Sequence, residues 1–232
     1  MKKRITLCLI VFNELQGCKI DIGNIPKSSF CEIIAIDGGS IDGTVEYLKK
    51  NKITVYKQKK LGLNCAYVQA NNVAKGDYVV VFFPKGTLPV KDLLKFKNFF
   101  VMGFDLVIAS RQMSKSLNEE DDNLFKLRKW CVIILSYLTW LIWRVSKNQM
   151  IIKDVLHGFK GWKKEAFNKM KILNYGLSID IEMVIRSYKL KIKYKEFPTK
   201  EKKRLYGDTH FKILPTGLKL IRYLCFEFFR KD

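Results

Sequence analysis

Histidine is nearly missing from this chain: two residues in 232. A His-rich metal site is thereby excluded. The six cysteines (Cys8, Cys18, Cys31, Cys65, Cys131, Cys225) include no CxxC pair. Scattered thiols, several inside apolar runs, argue against zinc or a disulfide framework and for reduced, buried cysteines in a cytosolic protein. No apolar run reaches the roughly 20 residues that a spanning helix needs. Internal repeats and low-complexity linkers are absent as well. Acid is the other scarcity: 22 Asp and Glu face 43 Lys and Arg, for a net charge of +21. Such an excess suits a polyanionic partner, whether nucleic acid, an anionic membrane face or a phosphorylated substrate; scattered lysines also suit a plain solvated surface. No nucleic-acid-binding motif accompanies the charge, so that class rests on charge alone.

What the chain does have is apolar content, 48% of its residues, enough for a substantial core in one large domain or two small ones. Its organising stretch runs from Ile33 to Leu48. Ile33–Ile36 is a continuous apolar run, as in a strand buried on both faces of a parallel sheet. Asp37-Gly38-Gly39-Ser40 then breaks it, and the glycines allow a tight turn and close approach of a ligand. Asp42 is the expected N-cap of a helix carrying Val45, Tyr47 and Leu48. An acidic, Gly-rich turn between strand and helix is either a nucleotide site at the carboxyl end of a parallel strand or an ordinary connection.

Strand and helix signals alternate along the first half. Met1-Lys2-Lys3-Arg4 precedes Ile5–Phe12, read as a first buried strand and not a targeting segment, with Asn13-Glu14 at its carboxyl end. Further strands are expected at Ile53–Tyr56, Tyr78–Phe83, Asp105–Arg111 and Ile192–Phe197, and helices at Asn64–Val73, Val90–Phe100 and Ile179–Lys189. This order predicts an α/β fold with a mainly parallel sheet flanked by helices. Two segments stand apart. Trp130–Trp143 mixes Trp and Tyr with aliphatics, between Lys126, Arg128 and Lys129 on one side and Arg144 and Lys147 on the other. A helix there, about residues 124–146, lies in a membrane interface or in the core. Near the end, Leu214, Leu218, Ile221, Leu224, Cys225 and Phe228 recur at helical spacing, with Lys219, Arg222 and Arg230 elsewhere. This predicts an amphipathic, basic helix in 211–232, at a membrane surface or packed on a domain formed by 1–210. Glu119-Glu120-Asp121-Asp122 is an acidic cluster in a polar loop, solvated or metal-binding.

Taken in order, the motifs resemble those of family 2 glycosyltransferases, and within them the dolichol- or polyprenyl-phosphate mannosyl- and glucosyltransferases. Val11-Phe12-Asn13-Glu14 is similar to P-x-Y-N-E, and Asp37 to Thr44 to D-D-G-S-x-D-G-T. Lys60-Leu61-Gly62-Leu63 resembles K-x-G-L-G, with Asn64 in place of the second Gly. Gly76-Asp77-Tyr78, Ala109-Ser110-Arg111 and Asp154 to Phe159 are similar to G-D-Y, G-S-R and D-x-x-S-G-F. Glu182 to Pro198 and Arg204…Gly207-Asp208-Thr209 continue the series. The resemblance covers nearly the whole chain and implies a GT-A (Rossmann-like) fold, a nucleotide-sugar donor, and transfer of a hexose with inversion. It implies Phe12, Asn13, Glu14, Asp37, Gly39, Ser40, Asp42 and Gly62 as the donor site. Arg111, Arg128 and Arg204 become candidates for phosphate, which a guanidinium fork suits. The implied acceptor is a polyprenyl phosphate or other membrane-associated group, reached from the cytosolic membrane face, without nucleic acid; the oligomeric state stays open.

One departure matters. The family holds Mg²⁺ or Mn²⁺ with a D-x-D after the strand that begins at Gly76; the aligned residues here are Phe83-Pro84-Lys85. The usual metal ligands are therefore missing, and no metal residue is assigned. Either Lys85 replaces the metal's charge, or the protein has lost catalysis and binds a nucleotide, a lipid or a partner. Asp154, Asp180 and Glu182 are the remaining carboxylates in resembling positions and, with Lys85, the catalytic candidates; Asp180 and Glu182 are equally readable as helix-surface residues.

Overall fold

The apolar run near the N-terminus forms β1 (Ile5–Val11), buried along its whole length. The remaining elements are α1 (Leu15–Asp21), β2 (Glu32–Asp37), α2 (Thr44–Lys50), β3 (Thr54–Lys57), α3 (Leu63–Val73), β4 (Tyr78–Phe82), α4 (Leu93–Val101) and β5 (Leu106–Ser110). They continue as α5 (Leu127–Trp143), β6 (Lys160–Lys163), α6 (Lys164–Met170), α7 (Ile179–Lys189), β7 (Tyr194–Pro198) and α8 (Ile213–Phe229). The computed structural model describes residues 3–121, 126–204, 206 and 213–230. Asp122 and the Gly207-Asp208-Thr209 motif therefore lie outside the described residues, as do Phe211 and the side chain of Leu214.

The strands form one sheet in the order β3-β2-β1-β4-β6-β5-β7. Only β6 runs antiparallel to its neighbours, β4 and β5. The expected α/β fold with a mainly parallel sheet is thus what forms. Period-two alternation sends successive side chains to opposite faces. Cys8, Ile10, Val79 and Val81 face one core, completed by α3, α5, α6, α7 and α8. Leu7, Leu9, Val80 and Phe82 face the other, beneath α1, α2 and α4. Helices on both faces explain why these strands read as continuous apolar runs.

Several local expectations shift. The N-cap of α2 is Gly43, at φ 90°, and not Asp42. Asp42 still accepts the Thr44 N–H at 3.0 Å, but from outside the helix. Val90–Asp92 is a short 3₁₀ turn, so α4 proper begins at Leu93, and β7 begins at Tyr194, two residues late. Of the cysteines, Cys8, Cys18 and Cys65 are buried, whereas Cys31, Cys131 and Cys225 are exposed, so burial holds for only half of them; all six are free.

The two late helices are turned inside out. In α5 the buried stripe is Val132, Ser136, Thr139 and Trp143, while Leu127, Trp130, Ile134, Tyr137, Leu138, Leu141 and Ile142 face outward. In α8 the buried residues are Leu220, Tyr223 and Glu227, and not the apolar stripe read from the sequence. From that stripe Leu218, Ile221, Cys225 and Phe228 are exposed. An apolar groove of about 240 Å³ runs between the outer faces, lined by Leu138, Ile142, Leu224 and Phe228 among others. Among the described residues no helix is long and apolar enough to cross a membrane.

Candidate active site

Parallel pairing sets the carboxyl ends of β1, β2 and β4 side by side, with Val11 opposite Asp37 and Leu9 opposite Phe82. The chain leaves β1 toward β2 on one side, while β4 lies on the other. Ligands of open α/β sheets bind in the crevice outside such a reversal of strand order. The segments flanking it are Phe12-Asn13-Glu14 and Phe83-Pro84-Lys85.

The loops after β1 and β2 are stitched into one unit. Asn13 takes a left-handed φ of 51°. Its N–H donates to Ser40 Oγ at 2.9 Å, and its Oδ1 accepts the Ile41 N–H at 2.9 Å. Asp37 accepts the Gly39 N–H at 3.0 Å, the Ser40 N–H at 3.1 Å and the Ser40 hydroxyl at 2.6 Å. Gly39, at φ 103°, supplies the left-handed position this turn requires. Asp42 accepts the Leu15 N–H at 3.0 Å. Its slight burial works against ionisation, but the bonds from Thr44 and Leu15 outweigh that and lower its pKa. Asp37 and Asp42 therefore shape the loops after β1 and β2, whereas Phe12 stays exposed over Gly38. Gly62 acts at a distance: a Cβ there would lie 2.8 Å from the Gly176 carbonyl, so glycine lets the loop before α7 close on α3.

A cavity of about 310 Å³ opens beyond the end of β4. Its sheet-side wall includes Phe83, Lys85, Arg111, His157 and Gly158, and its opposite wall comes from α5 (Arg128, Lys129, Val132, Leu135) and α8 (Thr216, Gly217, Leu220). Asp180, Glu119, Glu201 and Arg204 complete the polar lining. The structure thus gathers Lys85, Arg111, Arg128, Asp180 and Arg204 around one space, and Glu14 joins them through an ion pair with Arg204.

The phosphate candidates already hold carboxylates. Arg111 grips Asp154 in a bidentate pair, Nε to Oδ2 at 2.9 Å and Nη2 to Oδ1 at 3.0 Å, and its Nη1 reaches Glu201 at 3.0 Å. Burial alone would raise the Asp154 carboxyl; Arg111 overrides it and holds it down at about 2. The same guanidinium lowers Glu201 against the effect of burial. Arg111 and Asp154 therefore form a buried brace at the edge of the cavity. Arg128 lies 3.6 Å from Glu119, and Lys129 pairs with Asp121, so the acidic loop is held by cations of α5.

Glu182 lies away from the others. It is fully buried and lies outside the cavity wall. It accepts from Asn64 Nδ2 at 2.9 Å, the Leu173 N–H at 2.9 Å and Arg230 Nη1 at 3.2 Å. Glu182 ties α3, the loop before α7 and the end of α8 together. Glu182→Gln should lower stability by about 1–2 kcal/mol, through loss of charge toward Arg230, with nucleotide affinity unchanged. Urea unfolding and a binding titration on the same protein check both halves. Asp180 does face the cavity, but its Oδ1 is held at 2.9 Å by Lys160, an ammonium buried beneath it.

Sequence reasoning missed Glu201, His157, Lys129 and Lys160. Glu201 carried a signal, one acid within a basic run. His157 contacts the Ala109 carbonyl through Nδ1, with Nε2 3.7 Å from Glu201. Burial and then Arg111 lower its pKa, so the imidazole is disposed to stay neutral.

The end of β4 does not fit a divalent cation. Such ions take oxygen ligands, chiefly carboxylates. Here Phe83 offers a ring, and the Lys85 ammonium sits 5.0 Å from its centroid. Among the described residues no group of three or more His, Cys, Asp or Glu is placed to hold a metal ion.

Comparison with known proteins gives a consistent picture. The family model of glycosyl transferase family 2 matches residues 8–159. The uncharacterized protein MJ1222 of Methanocaldococcus jannaschii is 24% identical over 232 residues, covering 95% of this chain and 90% of that one. Glycosyltransferase AglJ of Haloferax volcanii is 24% identical over 196 residues, 83% of this chain and 62% of that protein. Glucosyl-3-phosphoglycerate synthase from Mycobacterium tuberculosis, solved in complex with UDP, superposes with a TM-score of 0.73 at 15% identity, over 99% of this chain and 82% of that one. The same enzyme was also solved with Mn²⁺, UDP-glucose and phosphoglyceric acid. At that identity the likeness is one of fold, the GT-A arrangement that the motif series implied.

Proposed function

The chain belongs to glycosyl transferase family 2, and on that premise we propose that it moves a hexose from a nucleotide sugar to a polyprenyl phosphate at a membrane surface, with inversion at the anomeric carbon. The carrying observation is the pair of inside-out helices. α5 and α8 wall the cavity with their inner faces and present Trp130, Leu141, Ile221 and Phe229 outward, Phe229 at 81% exposure. Apolar groups set outward beside the exposed Lys219 and Arg222 suit the headgroup boundary of an anionic bilayer. Basic residues near such a surface contribute roughly 1 kcal/mol each, which gives part of the net charge a purpose. A lipid phosphate arriving along these helices would enter the cavity opposite the donor loops. As a phosphate is already ionised near neutral pH, the acceptor needs no strong base. Its oxygen forms a bond to the anomeric carbon while the bond from that carbon to the diphosphate breaks, and the electron pair leaves with the nucleoside diphosphate.

The test offers UDP- and GDP-sugars to the protein on phosphatidylglycerol vesicles carrying polyprenyl phosphate. Glycosylated lipid is the expected product, and the protein should float with the vesicles. Leu141→Glu with Phe229→Glu should weaken vesicle binding at least about tenfold, since burying each side chain contributes roughly 1.5–3 kcal/mol. Glycosylation of a soluble phosphorylated acid instead of the lipid would redirect the acceptor. Nucleotide binding without any turnover would favour a non-catalytic binding protein, the reading that Phe83-Pro84-Lys85 also permits. Folded protein that binds no nucleotide would end the proposal.

A further inference from the structure

Five cations line the cavity: Lys85, Arg111, Arg128, Lys129 and Arg204. Four of them already have carboxylates. Arg111 holds Asp154 and Glu201, Arg128 faces Glu119, Lys129 holds Asp121 and Arg204 holds Glu14. Lys85 is the exception: among the described residues it has no ion pair, and its ammonium lies over the Phe83 ring. Burial lowers its pKa, and the charged groups that act on it are Glu201, Arg204, Glu14 and Glu119. The three carboxylates among these are each claimed by an arginine. An ammonium set in a half-buried cavity without a counter-ion is a place for an external anion.

The position is also fixed. The Lys85 N–H donates to the Phe83 carbonyl at 2.8 Å, which curls the chain sharply after β4. The next residue, Gly86, at φ 70°, donates its N–H to Asp21 Oδ2 at 2.8 Å. One turn before Asp21 in the same helix, Gly17 of α1 lets the Pro84–Lys85 backbone press directly on it. The Lys85 backbone is thus held against α1, and its ammonium lies over the Phe83 ring in the cavity wall.

We propose that Lys85 is a metal-independent anchor for the diphosphate of the nucleotide sugar, and that it neutralises the diphosphate as it leaves. The inference rests on the glycosyl-transfer reading of the site. When the bond between the anomeric carbon and the diphosphate oxygen breaks, the electron pair stays on that oxygen. The Lys85 point charge then faces the charge that develops, with no proton transferred. The carboxylates that would hold a divalent ion are absent at this turn, and the ammonium would repel one.

The experiment is titration calorimetry with UDP and with GDP, in EDTA and in Mn²⁺, on wild type, Lys85→Gln and Lys85→Arg. One nucleoside diphosphate should bind wild type with a Kd that Mn²⁺ changes by less than about threefold. Lys85→Gln should weaken it at least about tenfold. Lys85→Arg should restore most of the loss. In turnover assays the Gln variant should fall about 100-fold or more in kcat, as when one preorganised donor is removed from a developing oxyanion. Binding by wild type only in Mn²⁺, or unchanged binding by Lys85→Gln, would overturn the inference and leave the glycosyl-transfer reading standing. The metal comparison needs no variant, so it holds even if a substitution fails to fold. Absence of nucleotide binding in every condition would remove the underlying reading as well.

Discussion

Asp154→Ala should destabilise the protein by about 3–5 kcal/mol in urea unfolding, the cost of leaving a buried charge without its partner. The brace is closed on every side. Asp154 accepts from the Arg111 backbone N–H at 2.9 Å as well as from the guanidinium, and its own N–H donates to Glu196 at 3.0 Å. Truncation leaves Arg111 with Glu201 alone, 3.0 Å away, and removes a negative charge from beside His157. Replacing the whole cluster, Arg111→Met with Asp154→Leu and Glu201→Gln, should recover much of the loss, because no charge of the cluster then stays buried alone. The pH dependence has a definite sign. The Asp154 pKa is lowered in the folded state from 3.8 to about 2. Its contribution is therefore complete above pH 3.8 and is lost as pH falls through that interval toward 2. Glu201, also lowered, adds to the acid side in the same direction. An Asp154→Ala protein with the wild-type urea midpoint would show that this pair is not a structural brace.

The sheet was legible where burial on both faces left a simple mark. β2 is an apolar run that stops at Asp37, β1 one that stops just before Asn13 and β4 one that stops at Phe83-Pro84, and those stops are the carboxyl ends that flank the crevice. β6 left no such mark. Lys160-Gly161-Trp162-Lys163 is short, glycine-containing and charged, and it is a strand because β4 and β5 pair with it on both sides. Its buried lysine is tolerated because Asp180 meets it at 2.9 Å. α8 shows the opposite failure. Helical spacing found its most apolar stripe, but periodicity does not say whether such a stripe faces a core or something outside the molecule. Here Leu220, Tyr223 and Glu227 pack inward, and Glu227 gathers Arg186, Lys189 and Arg230.

The site divides along the same line. The Asp37 turn was legible because its hydrogen bonds are local: Gly39 and Ser40 donate to a carboxylate two and three residues back. Partner choice across the fold was not. Arg111 meets Asp154 across 43 positions, and Arg204 meets Glu14 across 190. Only the sheet brings such residues within reach, so a sequence-level assignment to phosphate could not know that carboxylates already hold them. Lys85 survives as a candidate for the converse reason. No acid among the described residues forms an ion pair with it.

Gly17→Ala should reduce nucleotide affinity and turnover together, with turnover down about 100-fold, the scale expected when a catalytic group moves by roughly 1 Å. Local propensity argues the other way, since alanine in place of glycine within a helix stabilises it by about 1 kcal/mol. Packing decides the sign. A Cβ at Gly17 would lie 2.2 Å from the Pro84 carbonyl oxygen and 2.7 Å from the Lys85 Cα. Both are backbone atoms, with no side chain to swing aside. The strap cannot simply lift, because Gly86 is tied to Asp21 of the same helix. The added methyl therefore displaces Pro84 and Lys85 or deforms α1, and overpacking of this kind costs about 1–3 kcal/mol. Gly23→Ala is the control: a Cβ there meets nothing within 4 Å. It should stay within about 0.5 kcal/mol of wild type, with full activity. Equal behaviour of the two alanine variants would mean that α1 does not set the position of Lys85. Loss confined to Gly17→Ala, with the fold intact by circular dichroism, would place the origin of the anchor one layer beneath it, in a helix that contributes no side chain to the cavity wall.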